Sequence, residues 1–254
     1  MRNLLKPTIL LATAWLGFAP SAAAQNDFEW TGQLAPGQRI EIQDVNGSIH
    51  ASAGGGNIVV TAVKRPGRTG NASDVRIETV AHSGGVTVCV IYGTGECRAG
   101  GRGSNNSNTR NDTSVDFTVQ VPAGIGLVAH TVNGSVDANG LQSDTDAATV
   151  NGSVTVATSG SASASTVNGS INAAMGRLPS GGKFKTVNGA VTLQLPGSTN
   201  ADVRVSTVSG DIRSDFPLQI DTEPGPKRAE GVIGAGGQRL DISTVNGGVT
   251  LQRR

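Results

Sequence analysis

The sequence predicts an all-β protein whose fold is a right-handed parallel β-solenoid with coils of about 17–21 residues. Three observations support this prediction. A six-residue segment, Thr-Val-Asn-Gly-Ser-Val, recurs along the chain and is called the tile below; its asparagine returns at a nearly fixed spacing; and the composition is rich in Gly, Val, Thr and Ser, which favour strands and tight corners. Exact or altered copies of the tile lie at Asp44–Ile49, Thr131–Val136, Thr149–Val154, Thr166–Ile171, Thr186–Val191, Thr207–Ile212 and Thr244–Val249.

The Asn-Gly step of the tile indicates a sharp change of direction, because both residues tolerate positive φ. One interpretation is a two-residue hairpin turn. In a hairpin at Thr131–Val136, Val132 and Val136 would fall on opposite faces of the sheet, so the pair would not be buried together. A corner between two strands of one coil lets both valines point inward. We therefore interpret the tile as a corner.

The spacing of the corners fits one short coil per tile. The gaps are 18, 17, 20 and 21 residues, counted from Asn133 through Asn151, Asn168 and Asn188 to Ser209, and Asn246 follows after 37, which predicts an interrupted coil there. One coil offers few inward apolar residues, for example Val187, Val191, Leu193 and Leu195. Their burial, at ~1.5–3 kcal/mol each, cannot offset the ordering of the whole coil at ~1–2 kcal/mol per residue. The coils must therefore stack to be stable.

In stacked coils the tile asparagine recurs at one corner, where its amide can bond the copies above and below. This row is either a binding surface or a structural corner, and we favour the structural role. The predicted corner residues are Asn133, Gly134, Asn151, Gly152, Asn168, Gly169, Asn188, Gly189, Asn246 and Gly247.

The first 24 residues are typical of a secretory signal peptide, with Arg2 and Lys6 before the apolar run Leu10–Ala19 and small residues up to Ala24. Removing them leaves 18 basic and 19 acidic residues, a formal net charge of −1. A nearly neutral chain gives no electrostatic case for nucleic acid. We expect an exported protein, periplasmic, cell-surface or extracellular, with no transmembrane segment in the mature chain.

The mature chain divides into a less regular β part, 25–125, and regular coils, 126–254. Short strands are predicted at Phe28–Trp30, Arg39–Gln43 and Ile58–Lys64, a hairpin or wider loop joins Val75–Val80 to Val86–Tyr92, and Val115–Val121 alternates cleanly up to Pro122. The segment 99–114 is rich in Gly, Asn, Ser and Arg and is predicted to be a mobile loop. Glu223–Arg228, with two prolines, predicts an excursion from the stack before the last strand, Val249–Gln252.

Cys89 and Cys97 are the two cysteines of the chain. In an exported protein such a pair favours a disulfide, worth about 2.5 kcal/mol for so short a loop in the chain-entropy model. Free thiols or a redox site are the alternative, but seven intervening residues do not match the C-x-x-C spacing.

The order of these features resembles a known bacterial family. It consists of a signal peptide, the early tile Asp44–Ile49, a strand ending in Tyr92 with cysteines beside it, the segment Val115–Gly124 and then serial tiles. It is similar to the family of putative adhesins labelled DUF4097 over nearly the whole mature chain. The resemblance implies an exported β-solenoid of the cell envelope and brings no catalytic motif.

The sequence predicts no catalytic residue, cofactor or metal site. His50, His82 and His130 are far apart and lack ligand spacing, and no G-x-S-x-G motif is present. Asp144 and Asp146 lie two residues apart and can share a strand face, as the carboxylate pair of a glycosidase would require, but we favour the interpretation that they are solvated surface residues.

Three functions remain as hypotheses. The first is a non-catalytic interaction or adhesion module that binds a protein or glycan of the cell envelope or surface. The second is a periplasmic sensor or regulator of envelope stress that works through a protein partner. The third is a polysaccharide-active β-helix enzyme, which a cluster of acidic and basic side chains in a groove on the stack would favour.

Overall fold

The structure is a computed structural model that describes residues 27–254 except 101–110, 222 and 224. Strands take up 58% of the described residues and form two sheets, of ten and eleven strands, called sheet 1 and sheet 2. The described residues contain one short 3-10 turn, Ala72–Asp74. The expected signal peptide and most of the expected mobile loop lie outside the described residues, and Ser114 already belongs to a strand.

The strands are numbered in chain order. Those of sheet 1 are β1 Phe28–Gly32, β3 Ile49–Ala53, β4 Ile58–Arg65, β7 Ser114–Val121, β9 Val136–Leu141, β11 Val154–Thr158, β13 Ile171–Met175, β15 Val191–Leu195, β17 Ile212–Ser214 and β21 Val249–Arg253. Those of sheet 2 are β2 Arg39–Gln43, β5 Val75–His82, β6 Gly85–Tyr92, β8 Gly126–His130, β10 Thr145–Ala148, β12 Ala162–Ser165, β14 Gly182–Lys185, β16 Ala201–Ser209, β18 Gln219–Ile220, β19 Lys227–Ile233 and β20 Gln238–Asn246.

Each coil contributes one strand to each sheet. Strand β8 lies in sheet 2, the tile turns the chain, and β9 lies in sheet 1. β8 pairs in parallel with β2 and β10, and β9 pairs with β3 and β11, so the two strands that flank a tile do not pair with each other. The corner interpretation and the parallel β-solenoid are confirmed, and the hairpin interpretation is wrong.

The core lies between the two sheets and is built of rows of equivalent side chains. In sheet 1 the row contains Phe117, Ile49, Val136, Val154, Ile171, Val191 and Val249, all fully buried. The facing row of sheet 2 is small in the middle rungs, at Ala129, Ala147 and Ala164, and larger on either side of them, at Ile42 and Phe184. Small and β-branched side chains therefore fill most of the core, as the low aromatic content of 3% requires.

One part of the packing prediction is wrong. The first valine of the tile does not point inward: Val132 is 38% exposed and Val187 is 39% exposed, whereas Val136 and Val191 are fully buried. The inward position is taken by the threonine before it, Thr131 in the first case, which is 5% exposed. Alternation along the strand explains this, because residues two apart share one face of a strand.

The coils do not stack in chain order. Counted along the stack, the rungs are β6–β7, β2–β3, β8–β9, β10–β11, β12–β13, β14–β15, β20–β21 and β16–β17. The chain thus leaves a gap after β14–β15, forms the last rung with β16–β17, and returns to fill the gap with β20–β21. The predicted interruption before Asn246 is this excursion.

Both ends of the stack carry antiparallel strands. At one end β4 pairs with β7, β1 pairs with β4, and β5 forms a hairpin with β6. At the other end β19 pairs antiparallel with β16, and the short β18 pairs with β19. These strands cover rung edges that would otherwise expose rows of unpaired backbone groups.

Candidate interaction surface

The tile asparagines form a continuous amide ladder along one corner of the stack. The side-chain Nδ2 of each asparagine donates to the Oδ1 of its neighbour at 2.7–2.9 Å, in the order Asn246, Asn188, Asn168, Asn151, Asn133 and Asn46. Isolated backbone bridges join the same neighbours. The structure therefore brings all the predicted corner asparagines together and adds Asn46 from the early tile.

The tile glycine is needed for close stacking. A Cβ atom on Gly152 would lie 2.1 Å from the carbonyl oxygen of Gly134, and the same approach recurs at Gly134, Gly169, Gly189 and Gly247, at 1.9–2.0 Å. No described residue other than glycine has a positive φ, so the tile asparagines do not use the positive φ that they would tolerate. The Asn-Gly pair combines a ladder side chain with a residue that lets the next rung approach.

The tile threonines form a second, buried ladder beneath the asparagines. Each Oγ1 donates to the carbonyl oxygen of a tile glycine in the adjacent rung, for example Thr149 to Gly134 at 2.8 Å and Thr166 to Gly152 at 2.9 Å. The hydroxyl thus satisfies a carbonyl at the corner, where the regular strand pairing stops.

The tile valines form an exposed apolar row beside the asparagine ladder. We call it the valine row, and its members in stack order are Val132, Val150, Val167, Val187, Val245 and Val208. The first five are each 38–39% exposed, and Val208 at the end of the stack is 55% exposed. Neighbouring rungs lie about 4.8 Å apart, so the row is a straight, evenly spaced apolar ridge.

A buried polar cluster lies where the ladder meets the first rungs. Asp44 takes the place of the tile threonine and is 6% exposed, and its Oδ2 accepts a hydrogen bond from Thr131 Oγ1 at 3.4 Å. Burial raises the pKa of the Asp44 carboxyl to about 7, against hydrogen bonds that favour its charged form. Close by, Tyr92 donates its hydroxyl proton to the carbonyl oxygen of Thr113 at 2.7 Å, and burial raises the pKa of Tyr92 as well.

The two cysteines form the predicted disulfide, with a Cα–Cα distance of 5.5 Å. The bond ties the segment after β6 against the outer face of that strand, whose residues are all buried. The same segment covers Glu41, which accepts hydrogen bonds from Thr87 Oγ1 at 2.9 Å and from the backbone N–H of Gly100 at 3.1 Å. The disulfide therefore fixes a cover over the first rungs of sheet 2.

The structure keeps the histidines apart and partners two of them with aspartate. His50 Nδ1 lies 3.4 Å from Asp137 on sheet 1, and His130 Nε2 lies 3.6 Å from Asp146 on sheet 2. His82 Nε2 is 3.2 Å from the Thr87 hydroxyl. Across the described ranges, no group of three or more His, Cys, Asp and Glu side chains is arranged to hold a metal ion.

Asp144 and Asp146 both line a depression of about 390 Å³ on sheet 2, but their carboxylates make different contacts. Asp144 accepts hydrogen bonds from the backbone N–H of Ser161 at 2.9 Å and from Ser180 Oγ at 3.1 Å. Asp146 faces His130 and is more than half exposed. One carboxylate thus orders a turn, and the other is solvated.

The exposed valine row is the feature that the sequence reasoning missed, although a signal was present. Leu127, Ala129 and Thr131 alternate inward in one unbroken series, which continues into the tile and places Val132 outside. The same phase holds in the next rung for Thr145, Ala147 and Thr149.

Comparisons with known proteins give one family and distant structural likenesses. The fold is similar to that of a "putative cell adhesion protein" from Clostridium sporogenes, with 9% identity, coverage of 89% of this chain and 99% of that chain, and a TM-score of 0.48. It is also similar to a "putative adhesin" from Bacteroides fragilis, with 10% identity, coverage of 89% and 96%, and a TM-score of 0.34. No curated protein matches the sequence.

The described residues contain no helix long and apolar enough to cross a membrane.

The family model described as Toastrack DUF4097 matches residues 43–252, from the end of β2 to the end of β21, and so takes in all the tiles. The chain belongs to the Toastrack DUF4097 family.

Proposed function

We propose that this protein is an exported, non-catalytic interaction or adhesion module of a bacterial cell envelope, and that the valine row is its contact surface. The valine row is the observation that carries the proposal. An exposed corner position needs no apolar side chain, yet six tiles place a valine there, each at least 38% exposed. A contiguous apolar ridge of this kind is typical of a surface that binds another molecule.

The setting of the row supports the same function. On one side of each valine is the asparagine of its tile, and on the other is a buried threonine whose hydroxyl is bonded to the adjacent rung. The backbone under the row is held by parallel pairing on both sheets. The ridge is therefore rigid before binding, which lowers the entropic cost of association.

The test removes the apolar character of the row and keeps its shape. In a variant with Val132→Thr, Val150→Thr, Val167→Thr and Val187→Thr, each side chain stays β-branched. Binding of purified protein to envelope fractions of the producing bacterium and to immobilised host-matrix proteins is measured by surface plasmon resonance. We expect saturable binding by the wild type and at least tenfold weaker binding by the variant, with an unchanged thermal midpoint.

A matched control changes outward residues of sheet 1 and leaves the valine row intact. Thr155→Ser, Asn172→Ser, Thr192→Ser and Thr250→Ser alter four outward positions in one row of sheet 1 and should leave binding intact. Equal binding by wild type and the valine variant would contradict the assigned surface. Saturable catalytic turnover by the purified protein would contradict the non-catalytic function itself.

A further inference from the structure

The outer face of sheet 2 carries a basic depression near the end of the stack, beside the last valines of the valine row. Four neighbouring strands form it, in the order β14, β20, β16 and β19. The depression has a volume of about 380 Å³, and its charged lining residues are Lys183, Lys185, Arg204, Arg228, Glu230 and Asp241. Four cations face two carboxylates there, although the whole chain is nearly neutral.

The charges are divided between two rows that cross the four strands. In the first row Lys183, Asp241, Arg204 and Glu230 alternate in sign, and Arg204 Nε lies 3.6 Å from Glu230 Oε1. In the second row the residues in register are Lys185, Ser243, Ser206 and Arg228. The first row compensates its own charge. The second contains no carboxylate on these four strands; Asp221, just after β18, lies beside Arg228 through a backbone hydrogen bond of 2.8 Å but forms no ion pair with it.

The second row is built to receive an elongated anion. Lys185 and Arg228 are both exposed, and neither forms an ion pair with any described residue. Three strand spacings separate their backbones, a span of about 14 Å. Between them lie the half-buried hydroxyls of Ser243 and Ser206, which form no hydrogen bond with the described part of the protein. The row thus presents cation, hydroxyl, hydroxyl, cation along a straight line.

We propose that this row binds an extended acidic polysaccharide that lies along the stack axis and crosses the four strands. Carboxylates of the polymer pair with Lys185 and Arg228, and sugar hydroxyls exchange hydrogen bonds with Ser243 and Ser206. A single-stranded nucleic acid fits the row less well, because the described residues that line the depression include no aromatic side chain on which bases could stack. The site borders the last part of the valine row on the same outward face, because Lys185, Ser243 and Ser206 each stand two residues before a valine of that row. The two surfaces use different side chains and are tested by different variants.

The experiment measures affinity for labelled oligogalacturonate at low and at moderate salt. We expect binding that weakens with salt, no binding of a neutral malto-oligosaccharide of equal length, and weaker binding of a single-stranded oligonucleotide. The Lys185→Ser, Arg228→Ser double variant should bind oligogalacturonate at least tenfold more weakly. Serine already occupies the same row in the intervening strands, so the fold should tolerate it.

A charge-matched control removes two arginines elsewhere, Arg68→Ser at the other end of the stack and Arg213→Thr on sheet 1. It should bind oligogalacturonate as the wild type does, and an equal loss in this control would overturn the assigned row. Absence of oligogalacturonate binding, or a preference for the oligonucleotide, would overturn the proposal and leave the valine-row function standing. Cleavage of the oligosaccharide during the assay would support the ligand class and overturn the non-catalytic function.

Discussion

Asp44 stands where the six other tiles place threonine. Threonine suits this position because its hydroxyl donates to a glycine carbonyl of the adjacent rung and carries no charge. The carboxylate of Asp44 cannot donate when ionised, and its Oδ1 has no hydrogen-bond partner among the described residues. The aspartate therefore costs stability at neutral pH, and its burial favours the protonated form.

This cost predicts a pH dependence. The pKa of Asp44 is about 7 in the folded protein, well above the ordinary value of 3.8 for an aspartate side chain, so the folded state binds the proton more tightly. The free energy of unfolding should therefore fall as pH rises from about 4 to about 7 and change little above that, by on the order of 4 kcal/mol at most. Urea denaturation of wild type, Asp44→Thr and Asp44→Asn at about pH 5 and about pH 8 measures this.

Both variants should lose the fall between the two pH values and should be more stable than the wild type at the higher one. A wild type whose unfolding midpoint is the same at both pH values would show that the buried carboxyl is not perturbed. A fall of equal size in the variants would assign the pH dependence to other groups.

At the level of the elements, the corner and the solenoid follow from local sequence, and the identity of the inward side chain does not follow from the tile alone. A period of 17–21 residues leaves room only for short strands joined by corners, which is what the structure contains. The tile read in isolation favours two buried valines. Only the phase of the preceding strand, as in Leu127 and Ala129, places threonine inside. The reason for glycine is likewise contact between rungs, which a single tile does not reveal.

Close stacking at the corner predicts that alanine destabilises the protein strongly at Gly152 and hardly at all at Gly55. Gly152→Ala places a Cβ 2.1 Å from the carbonyl oxygen of Gly134 and must push two rungs apart. We expect a loss of about 3 kcal/mol or more in the free energy of unfolding. Gly55→Ala is the control, because a Cβ there meets nothing within 4 Å, and its effect should stay within about 0.5 kcal/mol. Chemical denaturation compares the two, and similar losses would refute the close-stacking role.

For the whole molecule, the order of the rungs was beyond sequence reasoning. The tiles are so alike that each can stack on any other as far as local pattern shows, and long-range pairing decides among them. The antiparallel strand β19 holds β16 at the end of the stack, and β20 then enters between β14 and β16. The basic depression depends on this order, because it joins Lys185 of one rung to Arg228 of the antiparallel strand β19. The net charge of the chain, which is close to zero, does not predict the basic depression.

The late insertion of β20–β21 predicts an unusual response to truncation. Removing 238–254 takes away an inner rung, so that β14–β15 and β16–β17 lose their shared neighbour. We expect the single cooperative melting transition to be lost and the amides of β14 and β16 to exchange rapidly. Circular dichroism and hydrogen exchange measure both. Removing residues up to 32 deletes only the outermost strand β1 and should have a smaller effect; equal effects would contradict the rung order.

The asparagine ladder also bears on the chemical lifetime of the protein. Asn-Gly is the dipeptide in which the following backbone nitrogen most readily attacks the side-chain amide, closing a succinimide and releasing ammonia. In the folded stack that nitrogen is occupied: the N–H of Gly152 donates to the carbonyl oxygen of Asn168, and that of Gly169 to Asn188, both at 3.0 Å. An unfolded chain has no such protection. Time spent unfolded therefore exposes the Asn-Gly pairs, which join one rung to the next, to irreversible loss of the side-chain amide.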